Sequence, residues 1–193
     1  MKVLFTERAK LALICETIEM DPLETGGLLL GAIEKDTWHV IEVVDPGPNS
    51  TFEIAYFEYD KDYTQHLINK LARIYDHSLE LIGLWHRHPG NYDTFSQVDR
   101  ETNLRFANQR VKGAISGIVN VDPQFRITMY HIQPNGKTER IECNLSESDN
   151  LSNYDKLRNF ADITERYNHA IQCLDNHVSG GILNYSKSWK VHA

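Results

Sequence analysis

Two histidines one residue apart, followed by a serine and an aspartate, are the residues of this chain best suited to catalytic chemistry. They are His86, His88, Ser96 and Asp99, in the stretch GLWHRHPGNYDTFSQVD. Catalytic zinc generally has three protein ligands and leaves its fourth position to water. Two imidazoles and one carboxylate would leave the ion a net charge of about +1, enough to lower the pKa of bound water toward roughly 7. The residue types therefore indicate a hydrolytic metal site.

The two histidines lie where an apolar strand, ELIGLWH, is expected to end. Side chains alternate between the faces of a strand, so His86 and His88 point to one side and Arg87 to the other. Pro89 cannot donate to a sheet ladder and stops the strand just beyond. The pair is thus predicted at a strand end, where the chain passes from core to cleft.

Ser96 and Asp99 have a second, purely structural interpretation. S-x-x-D at the start of a helix is a common capping box, in which serine caps the helix and the acid lies in its first turn. Capping and metal ligation are compatible for these two residues. Nine histidines in the chain also make one H-x-H pair unsurprising, and the lone His39 and His66 are expected to be surface or satisfied core residues.

The rest of the pattern predicts an α/β or α+β fold in which a mixed sheet is flanked by helices. A first helix is capped by Thr6 and runs to about Met20, with Leu11, Ile14 and Ile18 recurring on one face. Further helices are predicted over 60–77 and 96–108, and strands over 27–34, 37–44, 51–57, 80–86, 114–121, 126–132 and 137–143. We expect one catalytic domain over 1–148, followed by a helical C-terminal extension and tail over 149–193.

Composition argues against nucleic acid and membranes as partners. The chain has 27 acidic and 20 basic residues, a net charge of −7, and no stripe of lysine and arginine that would neutralise phosphates. Its three cysteines are far apart, which suits a reducing compartment. The apolar N-terminal run is broken by charges, so neither a secretory signal nor a membrane span is expected. These features predict a soluble, cytoplasmic protein.

A hydrolase of this kind also needs a carboxylate that accepts a proton from water and returns it to the leaving amine. Glu24, Glu34, Glu53, Glu58 and Asp93 all qualify by residue type. Residue type and spacing alone do not choose among them.

Taken together, HRHP, the spacing H-x-H-x7-S-x2-D and the upstream E-x-G-G-L-L-L-G resemble the JAMM (JAB/MPN+) metalloproteases over about residues 5–145. The resemblance implies an MPN-type, cytidine-deaminase-like sandwich and one zinc ion per chain. It implies His86, His88 and Asp99 as zinc ligands, Glu24 as the acid–base residue and Ser96 as a donor to the oxyanion. Members of that family include isopeptidases that cleave after the C-terminal glycine of ubiquitin or ubiquitin-like proteins.

The chain departs from the family pattern at Arg87, where many members carry serine or threonine. Its guanidinium is expected either to pair with a carboxylate of the substrate or to be a solvated surface group. Tyr92 and Phe95 are candidate walls of a substrate groove, with ordinary loop packing as the alternative.

The compact size resembles prokaryotic stand-alone members, which implies a ubiquitin-like modifier, its conjugate or its precursor as substrate. Activating and conjugating enzymes of the same system are further expected partners. Two other classes compete with this interpretation. One is a non-catalytic scaffold of the same fold, and the other is a metal-dependent DNA-repair protein resembling the RadC family, which the acidic balance disfavours.

Overall fold

The computed structural model describes residues 1–53 and 56–145 of the chain. The helices in this part are α1 (Glu7–Glu19), α2 (Lys61–Ile74) and α3 (Gln97–Ala107). The strands are β1 (Lys2–Phe5), β2 (Gly26–Glu34), β3 (Thr37–Val44), β4 (Thr51–Glu53), β5 (Tyr56–Glu58), β6 (Glu80–Arg87), β7 (Ala114–Asn120), β8 (Arg126–Ile132) and β9 (Thr138–Leu145). The predicted extension over 149–193 lies outside the described residues.

Seven strands form one mixed sheet in the order β1-β3-β2-β6-β7-β8-β9. The pairs β1–β3, β1–β9 and β6–β7 are parallel, and the other neighbours are antiparallel. Because β1 pairs with β3 on one side and with β9 on the other, the strand order closes on itself. The prediction of a mixed sheet with accompanying helices is confirmed, while the likeness to cytidine deaminases stays a prediction.

Large apolar side chains from the sheet and from α1 form the main hydrophobic core. Trp38 and Trp85 are each 1% exposed and are the largest of them. The cluster also contains Val3, Phe5, Ala9, Leu13, Leu29, Val40, Ile82, Ile115, Val119 and Met129. Burial at about 25 cal/mol per Å² of apolar surface makes this cluster the main stabilising feature of the fold, and Ile82 and Trp85 anchor β6 to it.

Each helix begins at a side-chain cap that the sequence supplies. Thr6, Asp60 and Ser96 accept hydrogen bonds from backbone N–H groups three residues later, at the starts of α1, α2 and α3. Such caps satisfy backbone donors that have no partner within the helix. They fix the helix starts to the residues expected from the sequence.

The structure corrects several details of the predicted elements. The buried residues of α1 are Ala9, Leu13 and Thr17, whereas Leu11 and Ile18 are 51% and 60% exposed, so the apolar face seen in the sequence is not the buried face of the helix. The strand predicted over 51–57 is instead the two short strands of a hairpin, β4 and β5. Strand β1 was not predicted, because four residues are too few for periodicity to show. Among the described residues, no helix has the length and apolar character to cross a bilayer.

Candidate metal centre

The end of β6 carries both histidines of the H-x-H pair. His86 lies within the strand, paired with Gly26 of β2 and with Ile118 of β7. His88 follows the last residue of the strand, and its backbone N–H donates to the Val119 carbonyl at 3.2 Å. The two side chains leave the same face as predicted, with their Nε2 atoms 2.8 Å apart. The central strand thus presents two imidazole nitrogens at one point.

Glu24 reaches the same point from the strand beside it. Because β2 runs antiparallel to β6, the start of β2 lies against the end of β6, and Gly26 pairs with His86. Glu24 precedes this pair, and its backbone N–H donates to the Glu53 carbonyl at 2.9 Å. Its side chain is largely buried, with Oε1 4.0 Å from His88 Nε2. Topology therefore brings Glu24 to the histidines across more than 60 residues of chain.

Asp99 comes to the site from the first turn of α3. Ser96 caps this helix: its Oγ accepts the Asp99 N–H at 3.2 Å, and its own N–H donates to Asp99 Oδ2 at 2.8 Å. Both halves of the capping box are present, so the capping prediction is confirmed. The same carboxylate faces the histidines, with Oδ2 3.3 Å from His88 Nε2 and Oδ1 3.6 Å from His86 Nε2. Capping therefore orients Asp99 toward the imidazoles.

The spacing of these atoms fits a metal ion. Zinc bound tetrahedrally at about 2.0–2.1 Å holds its ligand atoms roughly 3.3–3.4 Å apart. The three separations among His86, His88 and Asp99 are 2.8, 3.3 and 3.6 Å. Glu24, His86 and His88 also form a buried group that could hold a metal, with ligand atoms within 4.8 Å of one another. Of the two carboxylates, Asp99 is the closer to the histidines, and Glu24 lies further out.

Burial and neighbouring charges shift the pKa values of Glu24, Asp99 and His88 in different directions. Burial raises the pKa of Glu24, although the two histidines act in the opposite direction. Burial also disfavours the ionised form of Asp99, but hydrogen bonds from His86, His88 and Ser96 hold its pKa well below the ordinary value. For His88, burial is outweighed by Asp99 and Glu24, which raise its pKa. A metal competes with that proton, since only the neutral imidazole is a ligand.

His88 is held by the loop between β6 and α3 and, through that loop, by Asn120, which the sequence did not single out. His88 Nδ1 lies 3.2 Å from the Tyr92 carbonyl, and the fully buried Asn120 donates to the same carbonyl at 3.0 Å. Partners of this kind fix the orientation and tautomer of ligating histidines. An asparagine at the end of the apolar strand AISGIVN was the available signal for this role.

The two aromatic residues predicted to line a groove lie in different environments. Tyr92 is 73% exposed, beside the site. Phe95 is buried, and its ring stacks on His86 with centroids 5.9 Å apart and packs against Tyr130 at 4.7 Å. Phe95 therefore follows the alternative of loop packing and limits the movement of the His86 ring.

Arg87 is placed differently from either expectation. Its side chain is among the largest that are fully buried, at 1% exposure, so the prediction of a solvated guanidinium was wrong. It points away from the histidines and bonds to the segment just before β2, with Nη1 2.6 Å from the Leu23 carbonyl. Because its guanidinium is engaged inside the protein, it is not available to a substrate carboxylate.

The fold and the donor set together define a mixed α/β domain with a candidate metal centre at the end of its central strand. The chain belongs to the family of prokaryotic homologs of the JAB domain, whose model matches residues 6–131. That assignment confirms the family resemblance seen in the motif. The sequence matches none of the curated proteins with which it was compared.

Among solved structures, the chain is similar to the protein DSY2949 from Desulfitobacterium hafniense, determined in solution. The two are 18% identical, with a TM-score of 0.56, and the match covers 75% of this chain and 93% of that one. At this identity the likeness shows a shared fold only.

Proposed function

We propose that the chain is a zinc-dependent peptidase or isopeptidase that cleaves after the C-terminal glycine of a ubiquitin-like protein. The convergence of His86, His88 and Asp99 at ligand spacing, with Glu24 just beyond them, carries this proposal. A second, largely buried acid beside three ligands is what metal-assisted hydrolysis requires, because that reaction needs a proton carrier that is not itself bound to the ion. The family includes metalloproteases, which agrees with this assignment.

In this proposal His86, His88 and Asp99 would hold one zinc ion. Zinc, when bound, lowers the pKa of water and polarises a carbonyl group. Glu24 accepts the proton of the attacking water at its carboxylate and delivers it to the departing amine. Burial favours the protonated form of this carboxyl group, as its raised pKa indicates, and so helps it to act as the acid in the second half of the reaction.

Ser96 supplies a hydrogen-bond donor for the oxyanion. Its Oγ accepts the Asp99 N–H in the capping box, which leaves the hydroxyl proton free to donate. The hydroxyl is fixed at the entrance to α3 by that hydrogen bond. Loss of one donor to an oxyanion generally costs about 10²–10³ in rate.

We propose Tyr92 as a substrate contact, because its exposed ring adjoins the loop that holds His88. An extended glycine-rich tail suits a site at a strand end, where main-chain hydrogen bonds can add it to a sheet. We further propose that the ubiquitin-like protein enters as a conjugate or precursor.

The test pairs metal content with turnover in Glu24→Gln. Zinc content stays at one per chain, because Glu24 is not a ligand, while cleavage of a ubiquitin-like protein with a dye amide after its C-terminal glycine falls by about 10²–10⁴-fold. Glu19→Gln, at an exposed position in α1, is the matched control and keeps full activity. A fully active Glu24→Gln enzyme would end the assignment.

The same measurements separate the two competing classes. If the protein is a scaffold, the wild type binds no zinc and cleaves no substrate. A DNA-repair protein would show DNA binding that weakens steeply with salt, which the net charge of −7 disfavours.

A further inference from the structure

Arg87 is a buried cation that separates, along the sequence, the two histidines of the candidate metal centre. Its side chain is 1% exposed, although an arginine inside a protein is costly unless its charge and donors are satisfied. The metal centre does not use it, since alternation along β6 sends it to the opposite face. A buried guanidinium at this position therefore needs another explanation.

The hydrogen bonds and the ion pair of Arg87 all reach one short segment, Asp21–Thr25, which contains Glu24. Nη1 donates to the Leu23 carbonyl at 2.6 Å, and Nη2 forms an ion pair with the Asp21 carboxylate. The backbone N–H of Arg87 donates to the Thr25 carbonyl at 2.7 Å. Glu24 is thus held on both sides by bonds from the residue that separates His86 from His88.

We propose that Arg87 is a positioning residue that fixes Glu24 relative to the metal ligands. This inference rests on the proposed function, in which Glu24 carries the proton. The planar guanidinium donates to two acceptors at once, the Asp21 carboxylate and the Leu23 carbonyl. A lysine ammonium cannot reproduce this fork of two fixed donors. Glu24 and the two histidine ligands then move as one unit, because Arg87 shares the end of β6 with both histidines.

The variant that tests this is Arg87→Lys, which keeps the charge and removes the fork. A small displacement of a reacting group costs up to about 10²-fold in rate, so we expect kcat to fall by roughly 10–10²-fold. KM and zinc affinity stay close to wild type, because the ligands His86, His88 and Asp99 are unchanged. Arg110→Lys is the matched control, since the Arg110 guanidinium also donates to two acceptors, the carbonyls of Leu81 at 3.0 Å and Phe106 at 2.8 Å, away from the site.

A double-mutant cycle shows whether Arg87 acts through Glu24. In the Glu24→Gln background, Arg87→Lys lowers the residual kcat little further, since no acid–base group remains to be misplaced. Multiplicative losses in the two backgrounds would overturn the proposal, as would a wild-type kcat for Arg87→Lys. The cycle keeps the two hypotheses apart, because an active Glu24→Gln enzyme refutes the proposed function before Arg87 is changed.

One further measurement, hydrogen exchange, does not depend on zinc or turnover. In the metal-free protein, hydrogen exchange at the Glu24 amide, which donates to the Glu53 carbonyl, becomes faster in Arg87→Lys and is unchanged in Arg110→Lys. If Arg87→Lys fails to fold, the same measurements are made on Asp21→Asn, which removes the ion-pair partner of Arg87 at a half-exposed position. Unchanged exchange and unchanged kcat in the variant that folds would refute a positioning role.

Discussion

Replacing Asp99 by asparagine separates its two roles, in capping α3 and in binding zinc. Asparagine keeps a side-chain oxygen for the Ser96 N–H, which Asp99 Oδ2 accepts at 2.8 Å, so the cap is largely preserved. The change removes the only charge that a ligand would bring to the ion. Removing a group that merely supports a ligand costs about 10–100-fold in metal affinity, so losing the ligand itself should cost at least about 100-fold.

This loss can be expressed as a change in stability. Zinc at about 1,000 times its Kd raises the free energy of unfolding of the wild type by about 4.1 kcal/mol. If Asp99→Asn raises Kd about 100-fold, the same zinc concentration is only about 10 times Kd and contributes about 1.4 kcal/mol. We therefore expect the stabilisation by zinc, measured for each protein as the difference between its free energies of unfolding with and without the metal, to fall by about 2.7 kcal/mol.

The assay is urea unfolding of both proteins, with and without zinc, at the same protein and metal concentrations. Ser96→Ala is the matched control, because it removes the capping hydroxyl, which costs about 0.5–2 kcal/mol without metal, and leaves Asp99 to bind zinc. Its stabilisation by zinc stays near the wild-type value. An Asp99→Asn protein that gains as much stability from zinc as the wild type would refute Asp99 as a ligand.

Two further predictions concern the fold around the site. Gly27→Ala destabilises the protein by about 1–3 kcal/mol in urea unfolding, because a Cβ would lie 2.0 Å from the Val44 carbonyl oxygen and force β2 and β3 apart. In the metal-free protein, the depressed pKa of Asp99 contributes stability that is lost as pH falls below the ordinary value of 3.8. The stability difference between wild type and Asp99→Asn should therefore shrink with acidification.

The positions of the catalytic candidates followed from local rules and could be predicted. Alternation along β6 placed His86 and His88 on one face, and the capping box placed Asp99 at the start of α3. Glu24 was different, because only the antiparallel register of β2 with β6 brings it to the histidines. Long-range pairing of that kind leaves no mark in spacing along the chain, so the family resemblance alone selected it.

Where the burial of a residue differed from what the sequence indicated, the cause was tertiary packing. Leu11 and Ile18 are apolar at helical spacing, yet the buried face of α1 carries Ala9, Leu13 and Thr17 instead. Nothing in the sequence marks Arg87 as buried, because its partners are a carboxylate and a carbonyl more than 60 residues away. Periodicity predicts which elements form and leaves open which faces they bury.

The position of β1 between β3 and β9 makes the first few residues more important than their number suggests. Lys2–Phe5 satisfies the backbone groups of two strands at once. Its removal would leave two unpaired strand edges, which are templates for association with other chains. Loss of Lys2–Phe5 would therefore promote aggregation.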